Sequence, residues 1–216
     1  MNRDGIAEPR FPSAPEPPGQ GTAHVWRVAL PAAEGRAAAR QALREILGAY
    51  LGIEAKAVEL TADAGGKPRL AHAGRRAAAD RRPGPEGGPP LSFNLSHSGG
   101  LALVAIAAGG TEVGIDVERL RPRRDLVRLA ARWLPAEDAD AVAAAGEEGR
   151  EAVFYAAWTR HEARTKCTGA GIDGPAPGPE IVARPLDIDA GYTAALAFDG
   201  TVGDGTLSVQ RRELGA

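Results

Sequence analysis

One cysteine, Cys167, is the whole thiol content of this 216-residue sequence. A single thiol cannot close an internal disulfide or supply a cysteine-rich zinc site. On a helix it reads as a small packing residue. Charge of one sign is also lacking: 26 Lys and Arg against 28 Asp and Glu leave a net charge of −2. That balance gives no general footprint for nucleic acid, although it leaves room for a local basic pocket. No run of about 18 apolar residues occurs, so no membrane-spanning helix is expected. The first residues, MNRDGIAEPRFPSAPEPPGQG, lack the apolar stretch of a signal peptide. The expectation is a cytoplasmic protein that needs neither membrane nor nucleic acid. Two motifs are missing as well. There is no GxxxxGK[ST] phosphate loop and no GxSxG nucleophile elbow.

What is present has a clear order. Residues 1–22 are rich in proline and glycine and read as a disordered tail. HVWRVAL (24–30) alternates as a strand, and Leu43, Ile46, Leu47 and Tyr50 then fall at helical spacing. AVEL (57–60) is a short strand candidate, and residues 63–90 read as loop. LSFNLSHS (91–98) and LALVAIAA (101–108) flank Gly99-Gly100 and predict a hairpin. TEVGIDVERL (111–120) is a further strand. Helices are predicted over 124–134 and 147–169, with Gly169 and Gly171 as the stop of the second. EIVARPLDI, GYTAALAF and TLSVQRREL are strand candidates at the end. The expected fold is α+β in two halves, 23–112 and 113–216, each a small mainly antiparallel sheet packed with a long helix.

The unusual stretch is VGIDVE (113–118). Alternate strand positions share a face, so Asp116 and Glu118 project together from an otherwise apolar strand. Two like charges there are costly to desolvate. On the last predicted helix, Glu162 and Lys166 stand at i and i+4 and share a face. If that helix packs on the strand, three carboxylates meet, and such a cluster calls for a cation. Hard oxygen ligands point to Mg²⁺, with Mn²⁺ as an alternative. Lys166 would then neutralise phosphate oxygens. Taken alone, Glu162 and Lys166 are also what a solvated surface ion pair looks like. In FNLSHS (93–98), Asn94, Ser96 and Ser98 share one strand face and His97 points to the other. Ser96 and His97 suit a phosphate better than a hydrolase, although a histidine at a hairpin end is often structural. GGKPRL (65–70) offers backbone N–H groups and the charge of Lys67, and on its own is a turn.

Together and in this order, GKP, FNLSHS, VGIDVE and WTRHEARTKCTGAGI resemble the motifs of the 4′-phosphopantetheinyl transferases, and specifically their long, single-chain (Sfp-type) class. The resemblance runs from about Val25 to the end and is densest between residues 66 and 172. It implies two similar halves arranged as a pseudo-twofold dimer in one chain, with a monomer sufficient. It implies transfer of 4′-phosphopantetheine from coenzyme A to a serine of an apo acyl or peptidyl carrier protein, with release of adenosine 3′,5′-bisphosphate. By the same resemblance, Asp116, Glu118 and Glu162 are the metal ligands. Glu162 is the base for the incoming hydroxyl, and Lys166 contacts the pyrophosphate. Ser96 and His97 hold the 3′-phosphate, and Gly66, Lys67 and Pro68 lie against the adenine end. The basic, amphipathic RLRPRRDLVRLAARWL (119–134) fits an acidic carrier.

The sequence departs from the family pattern in three places. His161 stands where a phosphate-holding lysine usually precedes the metal glutamate, and a histidine is only partly charged near neutral pH. The first half is short, which leaves Arg36, Arg40 and Arg44 as substitutes for missing basic residues. The end after Gly171 is compact. These departures motivate a second expectation, a shortened paralogue that binds coenzyme A or a carrier protein and transfers weakly or not at all. A Mg²⁺-dependent phosphodiesterase would need a water-activating site that no motif supplies.

Overall fold

Alternation of small and bulky apolar residues in TAHVWRVA makes a strand, β1 (Thr22–Ala29), that is buried on both faces. The chain then enters helix α1 (Gly35–Leu51), which buries Ala39, Leu43, Ile46, Leu47 and Tyr50. A turn of 3₁₀ helix (Ala55–Ala57) precedes the short pair β2 (Leu60–Ala62) and β3 (Pro68–Leu70). The predicted hairpin forms as β4 (Ser92–Ser98) and β5 (Leu101–Ala107), with Gly99 at φ +57° in the left-handed region that glycine adopts without strain. Strand β6 (Val113–Arg119) leads to α2 (Leu126–Trp133), α3 (Ala136–Ala144) and the 22-residue α4 (Glu147–Thr168). Strands β7 (Ile181–Leu186), β8 (Tyr192–Asp199) and β9 (Ser208–Leu214) follow. This computed structural model describes residues 11, 14–31, 35–63, 65–71, 90–171, 173–201 and 206–214.

The α+β class is as expected, and its two sheets repeat one topology. The first has the order β4-β5-β1-β9 and the second β6-β8-β7. In each, the strand before the long helix pairs with the second strand of the hairpin that follows in the same sheet: β1 with β5 of β4–β5, and β6 with β8 of β7–β8. Three apolar layers hold the stack. Helix α1 packs on one face of the first sheet through Leu43, Ile46 and Leu47 against Trp26, Val28, Phe93 and Val104. The opposite face, with Val25, Leu103 and Ala105, packs on Val113, Ile115, Val117 and Leu196 of the second sheet. Ala163 and Cys167 of α4 cover the far side of that sheet at Ala195 and Ala197. The layer order is therefore α1, first sheet, second sheet, α4. The N-terminal half of α4 packs instead on α2 and α3 through Phe154, Tyr155 and Ala157.

Several expectations change. AVEL is not a strand: a 3₁₀ turn ends at Ala57 and the strand starts at Leu60. Helix α3 and strands β2 and β3 were not foreseen. β9 joins the first sheet, in parallel beside β1 from Thr22↔Ser208 to Val28↔Leu214. Of the expected tail, residues 1–10 and 12–13 lie outside the described residues, as does most of the 63–90 loop (72–89). Phe11 packs edge-on against Trp26 with ring centroids 5.4 Å apart, and Pro18 is buried, so this part of the tail is held on the core. The core also carries a polar pair. His24 is buried with Nδ1 2.6 Å from the Tyr50 hydroxyl, and burial followed by the nearby Arg212 pushes its pKa down to about 4. The imidazole is thus neutral at pH 7.

Candidate functional site at the seam of the two sheets

The site begins with a backbone problem. β6 is an edge strand of the second sheet, and the N–H groups of Ile115, Val117 and Arg119 face away from β8. Such edge donors need partners when buried. β4, the edge strand of the first sheet, supplies them with side chains rather than backbone. Ile115 N–H donates to Asn94 Oδ1 (3.0 Å), Val117 N–H to Ser96 Oγ (3.3 Å) and Arg119 N–H to Ser98 Oγ (3.1 Å). The N-x-S-x-S spacing of β4 therefore matches the two-residue period of the β6 donors. Each serine hydroxyl has one proton left. Ser96 donates it to Asp116 Oδ1 and Ser98 to Glu118 Oε2, both at 2.8 Å.

Those two carboxylates lie on the α4 side of β6, as their spacing requires, together with Gly114. At Gly114 the helix touches the strand directly. A Cβ there would stand 2.1 Å from the Ala163 carbonyl oxygen and 2.3 Å from the Cys167 nitrogen. This approach brings Lys166 Nζ within 2.5 Å of Asp116 Oδ1 and 3.2 Å of Ser96 Oγ. Glu162 shares the electrostatics. Burial raises its pKa first, Lys166 pulls it down, and Asp116 and Glu118 push it up again. Glu118 is likewise raised, by burial and then by Asp116, while the Ser98 hydroxyl opposes the shift. Asp116, only 3% exposed, buries Oδ2 with no hydrogen-bond partner. An orphaned carboxylate oxygen among two further carboxylates is the donor chemistry of a hard divalent cation. Among the described residues no group of three or more Asp, Glu, His or Cys side chains is closed around a common point as a metal cage would be. By donor type and by the unpaired oxygen the residues suit a hard divalent cation, with Lys166 clasping the oxygen next to it.

A second positive group lies across the seam. His97 points to the α1 side of β4, opposite Ser96. Burial lowers its pKa first, followed by the charges of Arg36, Lys166 and Arg40. Arg36, Arg40 and Lys166 thus act on one imidazole, and α1 delivers two of them. Of these three charges Ser96 meets Lys166, whose Nζ is 3.2 Å from its hydroxyl. That hydroxyl donates to Asp116 Oδ1 and accepts from the Val117 N–H, on the face of β4 opposite His97.

The side chain of Lys67 is 2% exposed, and its Nζ donates to Glu112 Oε2 (2.8 Å) and to the carbonyls of Val113 (2.9 Å) and Cys167 (3.0 Å). The ammonium therefore ties the GKP loop to both β6 and the end of α4. Burial alone would raise the Glu112 carboxyl, but Lys67 and Arg69 outweigh it and hold it below the ordinary range. Gly65 lies against the same helix end, where a Cβ would meet the Gly169 carbonyl at 1.5 Å. Gly66 (φ +82°) has open space around it, and Pro68 opens β3 beside it. Removing a buried partner leaves the rest uncompensated. A Lys67→Met substitution is expected to destabilise the fold by about 2–4 kcal/mol, the lower part of that range because Glu112 is half-open to water. A urea melt checks this, and an unchanged midpoint would mean that Lys67 is not the clamp.

His161 is not brought to the carboxylates. Burial and then Arg164 lower its pKa, with Asp138 of α3 opposing. Its neighbour Arg160 pairs with Asp138 at 2.9 Å. Adjacent helical residues are about 100° apart, so Glu162 faces β6 while His161 turns towards α3. A cavity of about 500 Å³ lies elsewhere, at the open side of the sheet stack, lined by Val25, Arg27, Leu186, Ile188 and Arg211 among others. None of the expected site residues lines it. Among the described residues no helix is long and apolar enough to cross a membrane.

Comparison with known proteins bears on this constellation. Residues 112–200 match the 4′-phosphopantetheinyl transferase superfamily. Over 135 residues the chain is 41% identical to the 4′-phosphopantetheinyl transferase HetI of Nostoc sp., which covers 62% of this chain and 52% of HetI. It is 38% identical over 88 residues to the 4′-phosphopantetheinyl transferase AcpT of Salmonella typhi, covering 41% of this chain and 45% of AcpT. With the 4′-phosphopantetheinyl transferase psf-1 of Bacillus pumilus it shares 38% identity over 84 residues, 39% of this chain and 34% of that protein. The chain spans about half the length of these relatives, or less.

Proposed function

We propose, from the premise that this chain belongs to the 4′-phosphopantetheinyl transferase superfamily through residues 112–200, that it transfers 4′-phosphopantetheine from coenzyme A to a serine of an apo acyl or peptidyl carrier protein. The observation that carries this reading is the buried, partnerless Oδ2 of Asp116 beside Glu118, Glu162 and Lys166. Asp116, Glu118 and Glu162 would hold Mg²⁺, or Mn²⁺ in its place. When bound, the ion neutralises charge on the coenzyme A pyrophosphate. Glu162, raised above the ordinary carboxyl range by burial, accepts the proton of the attacking serine hydroxyl. Lys166 meets the pyrophosphate oxygens as a point charge. The 3′-phosphate falls to His97, Arg36 and Arg40, and an anion there opposes the burial and the cationic repulsion that together hold His97 low. Gly66 and Pro68 face the adenine end with backbone, while Lys67 holds their loop in place. Arg121, Arg123, Arg124, Arg128 and Arg132 are exposed around α2 and offer a basic surface to an acidic carrier. The repeated strand order of the two sheets supports a pseudo-dimer within one chain. Adenosine 3′,5′-bisphosphate is the by-product.

The test is direct. The protein is incubated with coenzyme A, Mg²⁺ and a panel of apo carrier proteins, and each carrier is weighed by mass spectrometry. Addition of the phosphopantetheine group is the expected result. Coenzyme A binding without addition to any carrier would instead favour the binding module motivated by the short first half and by His161, which faces α3.

A further inference from the structure

We propose that Ser98, with Ser96 beside it, is a positioning residue for the metal-binding carboxylates: strand β4 of the first sheet aims ligands that belong to strand β6 of the second. The inference rests on the metal reading of the previous section and extends it to residues outside the ligand set. Each hydroxyl is held at both ends. Ser98 Oγ accepts the Arg119 N–H at 3.1 Å and donates to Glu118 Oε2 at 2.8 Å. Ser96 Oγ accepts the Val117 N–H at 3.3 Å and donates to Asp116 Oδ1 at 2.8 Å. A hydroxyl has one proton and two lone pairs; the backbone N–H takes one lone pair in each case, Lys166 Nζ takes the second at Ser96, and both protons go to the neighbouring carboxylate. The spacing has a two-residue period: Asn94 stands opposite Gly114, where there is no acid to aim, and the serine–carboxylate contact recurs at Ser92 Oγ and Glu112 Oε2 (3.2 Å), where the acid is instead clamped by Lys67 and Arg69. Both serines are buried, and the Ser96–Asp116 bond is buried fully, the Ser98–Glu118 bond in part.

Two consequences follow for the site. The hydroxyl proton occupies one oxygen of each carboxylate. This leaves the other for a cation, as the partnerless Asp116 Oδ2 shows. Ligand geometry is thereby set by the junction of the two halves, not by β6 alone.

The experiment compares Ser98→Thr with Ser98→Val, which share a shape and differ in the hydroxyl. Mn²⁺ affinity of the free protein is read by electron paramagnetic resonance, and thermal melting is run in parallel. Loss of an outer-shell partner is expected to weaken Mn²⁺ binding of Ser98→Val by about tenfold or more, with Ser98→Thr close to the unaltered protein. Ser98→Ala repeats the test without added bulk. Equal Mn²⁺ affinity in the threonine, valine and alanine forms would overturn the proposal, even if their melting temperatures fell. Absence of Mn²⁺ binding by the unaltered protein would overturn the metal reading itself, and this inference with it.

Discussion

Asp116→Asn is expected to leave the fold intact and to cost phosphopantetheine transfer about three orders of magnitude. Asparagine keeps the shape of the side chain and an oxygen that can accept from Ser96 Oγ. It removes the charge that Lys166 Nζ contacts at 2.5 Å, and with it an anionic ligand at the position of the orphaned Oδ2. Charge neutralisation at a transferring phosphate is worth several kcal/mol. About 4 kcal/mol lost corresponds to roughly 10³ in rate. Two effects on stability oppose each other: neutralising Asp116 relieves its repulsion of Glu118 and Glu162, and it also breaks the buried ion pair with Lys166. A melting temperature at pH 7 within a few degrees of the original is therefore expected beside the lost activity. A folded variant that kept a tenth of the original rate would show that the metal and phosphate chemistry lies elsewhere.

Gly114→Ala is expected to destabilise the protein by about 4 kcal/mol or more, at the far end of single substitutions. The added methyl would overlap the Ala163 carbonyl and the Cys167 nitrogen at 2.1 and 2.3 Å. Both are helix backbone and cannot rotate away as a side chain would. The strand cannot yield easily either, since Val113 and Ile115 on its other face are fully buried between the sheets. The helix must lift, and lifting it draws Glu162 and Lys166 away from Asp116. Urea melts and the rate of transfer should fall together. An unchanged melt would mean that α4 and β6 are not in backbone contact.

The parts of this architecture that announce themselves in sequence are those with long local patterns. The hairpin around Gly99-Gly100 and helices α1 and α4 have seven or more residues of consistent periodicity. The shared face of Asp116 and Glu118 follows from strand geometry alone. Strands β2 and β3, at three residues each, are too short to show a period. Helix α3 buries only Val142 and so has almost no apolar stripe to read. Lys67 illustrates a different limit. A lysine after two glycines looks like a ligand-facing charge, and its actual partners are carbonyls 46 and 100 positions away. Ser96 and Ser98 were legible as one polar face of an otherwise apolar strand. What that face met, the unpaired edge of a second sheet, depended on tertiary contact. His161 and Glu162 are neighbours in sequence, but helical twist sends them to different partners.

The parallel pairing of β9 with β1 sets a timetable for synthesis. β1 leaves the ribosome before β9, and its outer edge presents unpaired backbone N–H and C=O groups until Ser208–Leu214 arrives. At about 5–20 residues per second, the nascent chain waits roughly 10–40 s between the two strands. For that interval the first sheet has an open edge that another strand can pair with. A cell making this protein has to shelter that edge, and a product cut short before Ser208 would never cover it.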